Sequence, residues 1–339
     1  GAWKALREAG VKISAVAGTS VGALNGALVC MGDVKKAEEI WSEITFSKVM
    51  DVEDEWMERL FRRETPVREI LNELWGKLKE GGVDITPLKK LIHEMIDEEA
   101  IRTSEVEFFL LTFSVTEMKE LDLALEDIPE GLLEDFLLAS AYLLGFKNEP
   151  LHGKTYLDGG VVNNVPLGSL VKRGYENVIE VRIYGPGREP KVRMPQSGEK
   201  YVIAPRVKLG SIIEFSEKRS RQNLKIGYFD AKRMLYGLEG TIYYLEQTHE
   251  DAYYEELLSG LRDMEKAEIA FQLKLSFASS EKELYLGMLE AAAKLLRISK
   301  YQIYTVDELY GIICKKYEFL CNQWDLPRFV HVLMRLKRF

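Results

Sequence analysis

Five residues near the start of the chain, Gly18-Thr19-Ser20-Val21-Gly22, fit the spacing G-x-S-x-G. That spacing does chemistry when it falls on a sharp turn between a strand and a helix. The glycines remove Cβ atoms that would clash in the turn, and the serine hydroxyl is lifted above the sheet edge. The helix behind it points its first backbone N–H groups, here those of Val21 and Gly22, at any oxyanion formed there. The plain alternative is a glycine-rich turn that packs strand on helix, and the five residues alone support both readings equally.

A serine hydroxyl is a weak nucleophile and needs a base within hydrogen-bond reach. The chain has four histidines. His93 falls in a charged helical stretch, His249 at a polar helix start, and His331 among basic residues near the C-terminus. His152 sits in a loop, but Gly153 and Lys154 give it the look of a turn residue. Asp158 is the better candidate, since it follows the apolar run Thr155-Tyr156-Leu157 and precedes Gly159-Gly160. Glycines beside a carboxylate admit another backbone closely, and an aspartate partly withdrawn from water has a raised pKa and serves as a base. Read alone, these residues also make an ordinary Asp-Gly turn.

The elements that must position these groups follow from periodicity. Residues 13–32 carry no charge, a length that invites a membrane-spanning reading. Ser14, Thr19, Ser20, Asn25 and four glycines leave too little apolar surface for insertion. The stretch divides better into a buried strand (13–17), a tight turn (18–22) and a small-residue helix (23–31). Ahead of it residues 1–10 read as a helix capped by Gly10. Residues 34–99 are helical and charged, with Trp41, Trp56, Phe61, Leu71, Leu74 and Leu78 as anchors, a break at Gly81-Gly82, and a helix start with Thr86 as N-cap and Pro87 at the first position. Strands are expected at 106–115, 155–157 and 178–184, and a helix at 131–144. From Ser211 onward the pattern is almost wholly helical, with a break near 277–280. Strands alternating with helices and then helices alone predict an α/β core with a helical extension.

Composition narrows the class. The 339 residues include 46 Lys+Arg against 54 Asp+Glu, a net charge of −8, which argues against a nucleic-acid partner. Three cysteines (Cys30, Cys314, Cys321) offer no disulfide framework and suit a reducing, cytoplasmic compartment. No metal site is expected, because His93-Glu94 lacks the second histidine of H-E-x-x-H, and no phosphate-binding loop points to a cofactor. The chain begins at Gly1 without an initiator Met, which fits residues upstream lost through processing, truncation or disorder; no signal peptide is visible, and a removed one would leave no trace. The run Lys218-Arg219-Ser220-Arg221 reads as a solvated helix face or as a contact for anionic headgroups. The tyrosine-rich stretches at 243–244, 253–254 and 301–317 are expected to pack the extension.

Together these residues resemble the patatin-like phospholipases, lipid acyl hydrolases that use a Ser-Asp dyad. The likeness is carried by Gly18-Thr19-Ser20-Val21-Gly22-Ala23, the Pro87-Leu88 helix start, Ala139-Ser140-Ala141, and Tyr156-Leu157-Asp158-Gly159-Gly160-Val161 with Asn164 and Pro166. It covers roughly residues 1–240 and implies a three-layer α/β/α sandwich with a mostly parallel central sheet. It implies Ser20 as nucleophile and Asp158 as base, with Gly18, Val21 and Gly22 forming the elbow and Gly159 and Gly160 lining the loop beside it. The family's main oxyanion loop, rich in glycine, is expected before residue 1. Leu144 stands where the family usually has proline, a departure that bears on loop shape. The implied domains are 1–245 for the hydrolase and 246–339 for the helical extension. The implied partner is a lipid, with transient contact at a membrane surface. A serine transacylase, which would want a histidine partner, and a non-catalytic lipid- or protein-binding module are the alternatives.

Overall fold

The computed structural model describes residues 1–61, 82–143, 145–147, 149–320 and 326–336. The expected anchors Leu71, Leu74 and Leu78, the glycine at 81, Leu144 and Cys321 lie outside them. The chain forms two compact units, Gly1–Tyr228 and Phe229–Phe339.

The first unit opens with helix α1 (Ala2–Glu8), strand β1 (Ala15–Thr19) and helix α2 (Val21–Met31). Gly10, at φ +74°, lies one residue beyond the C-cap Ala9 and turns the chain out of α1. Helices α3 (Val34–Ser42), α4 (Asp54–Phe61), α5 (Thr86–Met95) and α6 (Glu98–Arg102) follow. Thr86 proves to be the first residue of α5 rather than its cap, because the Asp84 carboxylate accepts its N–H (2.7 Å) and its hydroxyl (2.6 Å). Next come β2 (Glu107–Ser114), β3 (Lys119–Ala124), α7 (Leu133–Ser140), β4 (Tyr156–Asp158), α8 (Leu167–Lys172), β5 (Val178–Val181), β6 (Lys200–Ile203) and α9 (Glu217–Tyr236), within which the two units divide.

Strand β2 organises the sheet. It runs parallel to β1, from Ala15↔Glu107 to Thr19↔Leu111, and antiparallel to β3. Its last residues also pair antiparallel with β4, from Thr112↔Asp158 to Ser114↔Tyr156. The final residues of β1 and β4 therefore meet consecutive residues of β2. Strands β5 and β6 form a separate parallel pair.

Side chains alternate across β2, as the period of a strand requires. Phe108 and Leu110 join the core cluster that holds Leu24, Ala27 and Leu28 of α2 and Leu137 and Leu138 of α7. Phe109, on the opposite face, carries the Arg173 guanidinium at 4.2 Å and the Tyr175 ring at 6.4 Å, both at the end of α8. Helical layers thus cover both faces of an α/β sheet. Small residues bring α2 close: a Cβ on Gly26 would stand 2.9 Å from the Phe108 ring. Each buried Phe or Leu contributes about 1.5–3 kcal/mol.

The second unit contains β7 (Tyr244–Glu246), α10 (Asp251–Leu258), α11 (Asp263–Leu273), α12 (Glu281–Leu295), β8 (Ile303–Thr305), α13 (Val306–Leu320) and α14 (Arg328–Leu336). It is mostly helical, as expected, but β7 and β8 add a parallel pair that the sequence does not signal. The boundary expected after residue 245 falls inside β7. Tyr243 and Leu245 belong to this unit's core with Tyr254, Tyr285, Leu289 and Tyr304. Three of the five described strand pairings in the chain are parallel. Among the described residues no helix is long and apolar enough to cross a membrane, and residues 13–32 fold as β1, Ser20 and α2.

Candidate active site

Ser20 is the single residue between β1 and α2, and its backbone is forced to φ 56°, ψ −127°. A residue with a Cβ pays for positive φ in strain, typically about 1–3 kcal/mol. The surroundings hold it there. The Ser20 N–H donates to Ser140 Oγ at 2.8 Å, and that hydroxyl donates to the Leu111 carbonyl at 2.5 Å. Ser140 is fully buried at the end of α7. Gly18 is required sterically, since a Cβ there would lie 2.2 Å from the Gly22 carbonyl oxygen. Gly22 differs, because a Cβ there would meet open space. The first N–H groups of α2, at Val21 and Gly22, have no acceptor within the helix, as at any helix start.

Asp158 ends β4, and the nearby Ser20 hydroxyl favours the charged form of its carboxyl. The register explains the meeting of residues so distant in sequence. Thr19 pairs with Leu111 and Asp158 with Thr112, so the residue after β1 and the last residue of β4 converge beside one point of β2. The Asp158 backbone N–H donates to the Tyr142 carbonyl at 2.8 Å. Its Oδ1 accepts the Gly160 N–H at 2.7 Å. Asp158 is 5% exposed, and burial pushes its carboxyl above the ordinary aspartate value, opposed by the Ser20 hydroxyl and the bond from Gly160.

The two glycines after Asp158 let the loop press against the sheet. A Cβ on Gly159 would stand 2.7 Å from the Leu111 oxygen and 2.9 Å from Thr19 Cγ2. The Thr19 hydroxyl donates to the Asn163 carbonyl at 3.0 Å, tying β1 to the same loop. A strap from further along the chain braces it: the Arg188 N–H donates to the Gly160 carbonyl (3.2 Å), and the Asn164 N–H donates to the Arg188 carbonyl (2.7 Å). The Asn164 side chain also donates to the Gly185 carbonyl at 3.1 Å. The strand expected over 178–184 accordingly stops at Val181, and Tyr184 turns the chain at φ 53°.

Histidine takes no part. His93 contacts Glu134 (3.1 Å) and His152 contacts Asp135 (2.7 Å), both on the exposed surface. His249 contacts Asp307 (3.1 Å) and stacks on Tyr253, while His331 meets the Tyr317 hydroxyl (2.8 Å). Two participants escaped the sequence reading. Ser140 was visible only as part of the Ala139-Ser140-Ala141 motif, without a role, and the Gly185–Arg188 strap only as the end of a strand. Among the described residues no group of three His, Cys, Asp or Glu could hold a metal ion.

A serine at positive φ between strand and helix thus stands beside a buried aspartate at the edge of an α/β sheet. Residues 1–171, half of the 339-residue chain, match the family model of the patatin-like phospholipases, and the chain belongs to that family. It is similar to neuropathy target esterase sws of Drosophila melanogaster, with 25% identity over 186 residues, 54% of this chain and 12% of that protein. The same identity and coverage hold for patatin-like phospholipase domain-containing protein 6 of Homo sapiens. For neuropathy target esterase sws of Drosophila grimshawi the identity is 27% over 169 residues, 49% of this chain and 10% of that protein. The chain thus spans a small part of the length of these curated relatives, and the family supports a lipid hydrolase at its own level.

Proposed function

We propose that the chain is a serine lipid acyl hydrolase with Ser20 as nucleophile and Asp158 as general base. The observation that carries this reading is the meeting of Ser20, held at φ 56° on the strand-to-helix turn, with the buried Asp158 carboxyl where β1 and β4 end on adjacent residues of β2. Asp158 accepts the Ser20 proton as Oγ attacks the carbonyl carbon of a fatty-acyl ester. The N–H groups of Val21 and Gly22, without an acceptor inside the helix, are the donors offered to the tetrahedral oxyanion. Collapse expels the alcohol, which takes the proton from Asp158 and leaves an acyl-Ser20. Asp158 then deprotonates a water, whose attack releases the fatty acid and restores the serine.

The substrate class, phospholipids or related lipids, follows the family and its esterase-named relatives. A histidine-partnered transacylase finds less support, since each histidine is engaged elsewhere. The free thiols of Cys30 and Cys314 fit a reducing, cytoplasmic setting. The test is a fluorophosphonate probe, which should label Ser20 in the native chain. Ser20→Ala should abolish both labelling and ester hydrolysis, and hydrolysis retained by that variant would overturn the mechanism.

A further inference from the structure

The first unit carries an unusual surface next to the candidate dyad. Residues 182–213 hold seven Lys or Arg against two Glu in a chain whose net charge is −8; Arg182 and Lys200 pair with Glu180, and the remaining five include Lys191, Arg193 and Lys208. Exposed apolar side chains are interleaved with them: Ile183 (53% exposed), Tyr184 (60%), Ile212 (46%) and Ile213 (39%). Lys191, Arg193 and Lys208 are exposed as well. A large apolar group in water is unfavourable, and several together with cations mark a surface that meets something apolar and anionic.

This segment is fastened to the dyad loop. Arg188 and Gly185 exchange backbone and side-chain hydrogen bonds with Gly160 and Asn164, and Gly160 in turn binds Asp158. Ile212 closes the arrangement, its Cγ2 3.9 Å from where a Gly185 Cβ would stand. Both arginines of the Lys218–Arg221 run, the sequence's first candidate for headgroups, are instead paired within the unit. Arg219 pairs with Glu214 (3.1 Å), Arg221 with Glu217 (3.0 Å), and the Arg221 guanidinium donates to the Ser42 carbonyl (3.1 Å).

We infer that residues 182–213 dock the enzyme on an anionic lipid bilayer, with Ile183, Tyr184, Ile212 and Ile213 entering the headgroup region and Lys191, Arg193 and Lys208 facing the negative surface. The inference rests on the lipid-hydrolase reading, and it places the dyad loop at the water–lipid boundary. Charge complementarity selects an anionic bilayer, and tyrosine and isoleucine beside the cations select a lipid surface over a purely acidic partner.

Flotation of the full chain with vesicles tests this. Native protein should float with phosphatidylcholine vesicles containing about three-tenths phosphatidylserine and far less with phosphatidylcholine alone. Raising the salt from about 0.05 to about 0.5 M should release it. Lys191→Glu with Arg193→Glu should weaken binding at least about tenfold, and Ile212→Ser with Ile213→Ser should also weaken it. Ser20→Ala should float like the native chain. Where a double variant fails to fold, Lys208→Glu and the salt dependence of native protein decide. Equal binding to neutral vesicles, salt-insensitive binding, or no vesicle binding overturns the inference. So does a charge reversal that changes only self-association in light scattering, which would assign the surface to a second copy. Hydrolysis of a monomeric ester is measured separately: hydrolysis without flotation defeats the docking surface alone, and flotation without hydrolysis defeats the hydrolase reading alone.

Discussion

The strained turn at Ser20 separates a nucleophile elbow from an ordinary glycine-rich turn, and stability measurements can read the strain directly. Ser20→Ala and Ser20→Gly both delete the hydroxyl beside Asp158, so the difference between them isolates the Cβ. At φ 56°, ψ −127° alanine keeps the Cβ strain while glycine relieves it. That relief is worth about 1–3 kcal/mol. Glycine gives back about 0.4–1 kcal/mol through the greater entropy of its unfolded chain. Ser20 is also the N-cap of α2, where glycine is better tolerated than alanine. Ser20→Gly should therefore be the more stable by about 0.5–2 kcal/mol. The unit holding it spans Gly1–Tyr228, a size at which each kcal/mol moves the melting temperature by about 2–4 °C. Thermal melts followed by circular dichroism should thus place Ser20→Gly about 1–8 °C above Ser20→Ala. Equal melting temperatures, or a higher one for Ser20→Ala, would mean the turn is relaxed and refute the reasoning.

Two further outcomes follow from the same geometry. Burial raises the Asp158 carboxyl above its ordinary value of 3.8, so the folded chain holds that proton more tightly than the unfolded one. The native protein should lose stability as pH rises from that ordinary value through the raised one, and the loss should persist above it. Asp158→Asn should gain on the native chain across this window and stay ahead at neutral pH, while its ester hydrolysis is lost. Melts from about pH 3 to about pH 8 check the sign, and an advantage that grows toward acid would contradict it. Ser140→Ala strands the Ser20 N–H and the Leu111 carbonyl, a penalty of about 1–3 kcal/mol. Steady-state kinetics should show kcat lowered about 10–100-fold with KM nearly constant, and partial rescue by Ser140→Cys; unchanged kcat with lowered stability would reduce Ser140 to packing.

The elbow was legible because its physics is local. A strand, one serine between glycines and a small-residue helix are adjacent in sequence, and their steric needs can be read without knowing the partner strands. Asp158 was legible for the same reason, as an acid at a strand end before two glycines. Ser140 was not, because its value lies in distance rather than neighbours: its hydroxyl joins the Ser20 amide to a carbonyl of β2. The short strands β6, β7 and β8 also escaped, since each is three or four residues long and lacks a strong apolar alternation. Strand β3 escaped although Leu121 and Leu123 alternate with Glu120 and Asp122, because the run is only six residues long. The extension of β5 to residue 184 failed for a tertiary reason. Its apolar pattern continues through Ile183, but hydrogen bonds to Asn164 and Gly160 draw the chain off as a strap.

In the proposed mechanism, a carboxylate standing where many serine hydrolases have histidine faces a wide pKa gap to the serine it would deprotonate. Two opposing effects set its strength here. Burial destabilises the anion and makes Asp158 a stronger base, while the Ser20 hydroxyl and the Gly160 N–H stabilise the anion and weaken it. Burial wins in direction, yet the 2.7 Å bond from Gly160 fixes the carboxylate's orientation. That bond depends on a glycine, because a Cβ at 160 would crowd both Asn164 Oδ1 (2.9 Å) and Asp158 Oδ1 (3.0 Å). The doubled glycine after the aspartate thus has two separable duties. Gly159 admits the loop against β1 and β2, and Gly160 aims the carboxylate at Ser20.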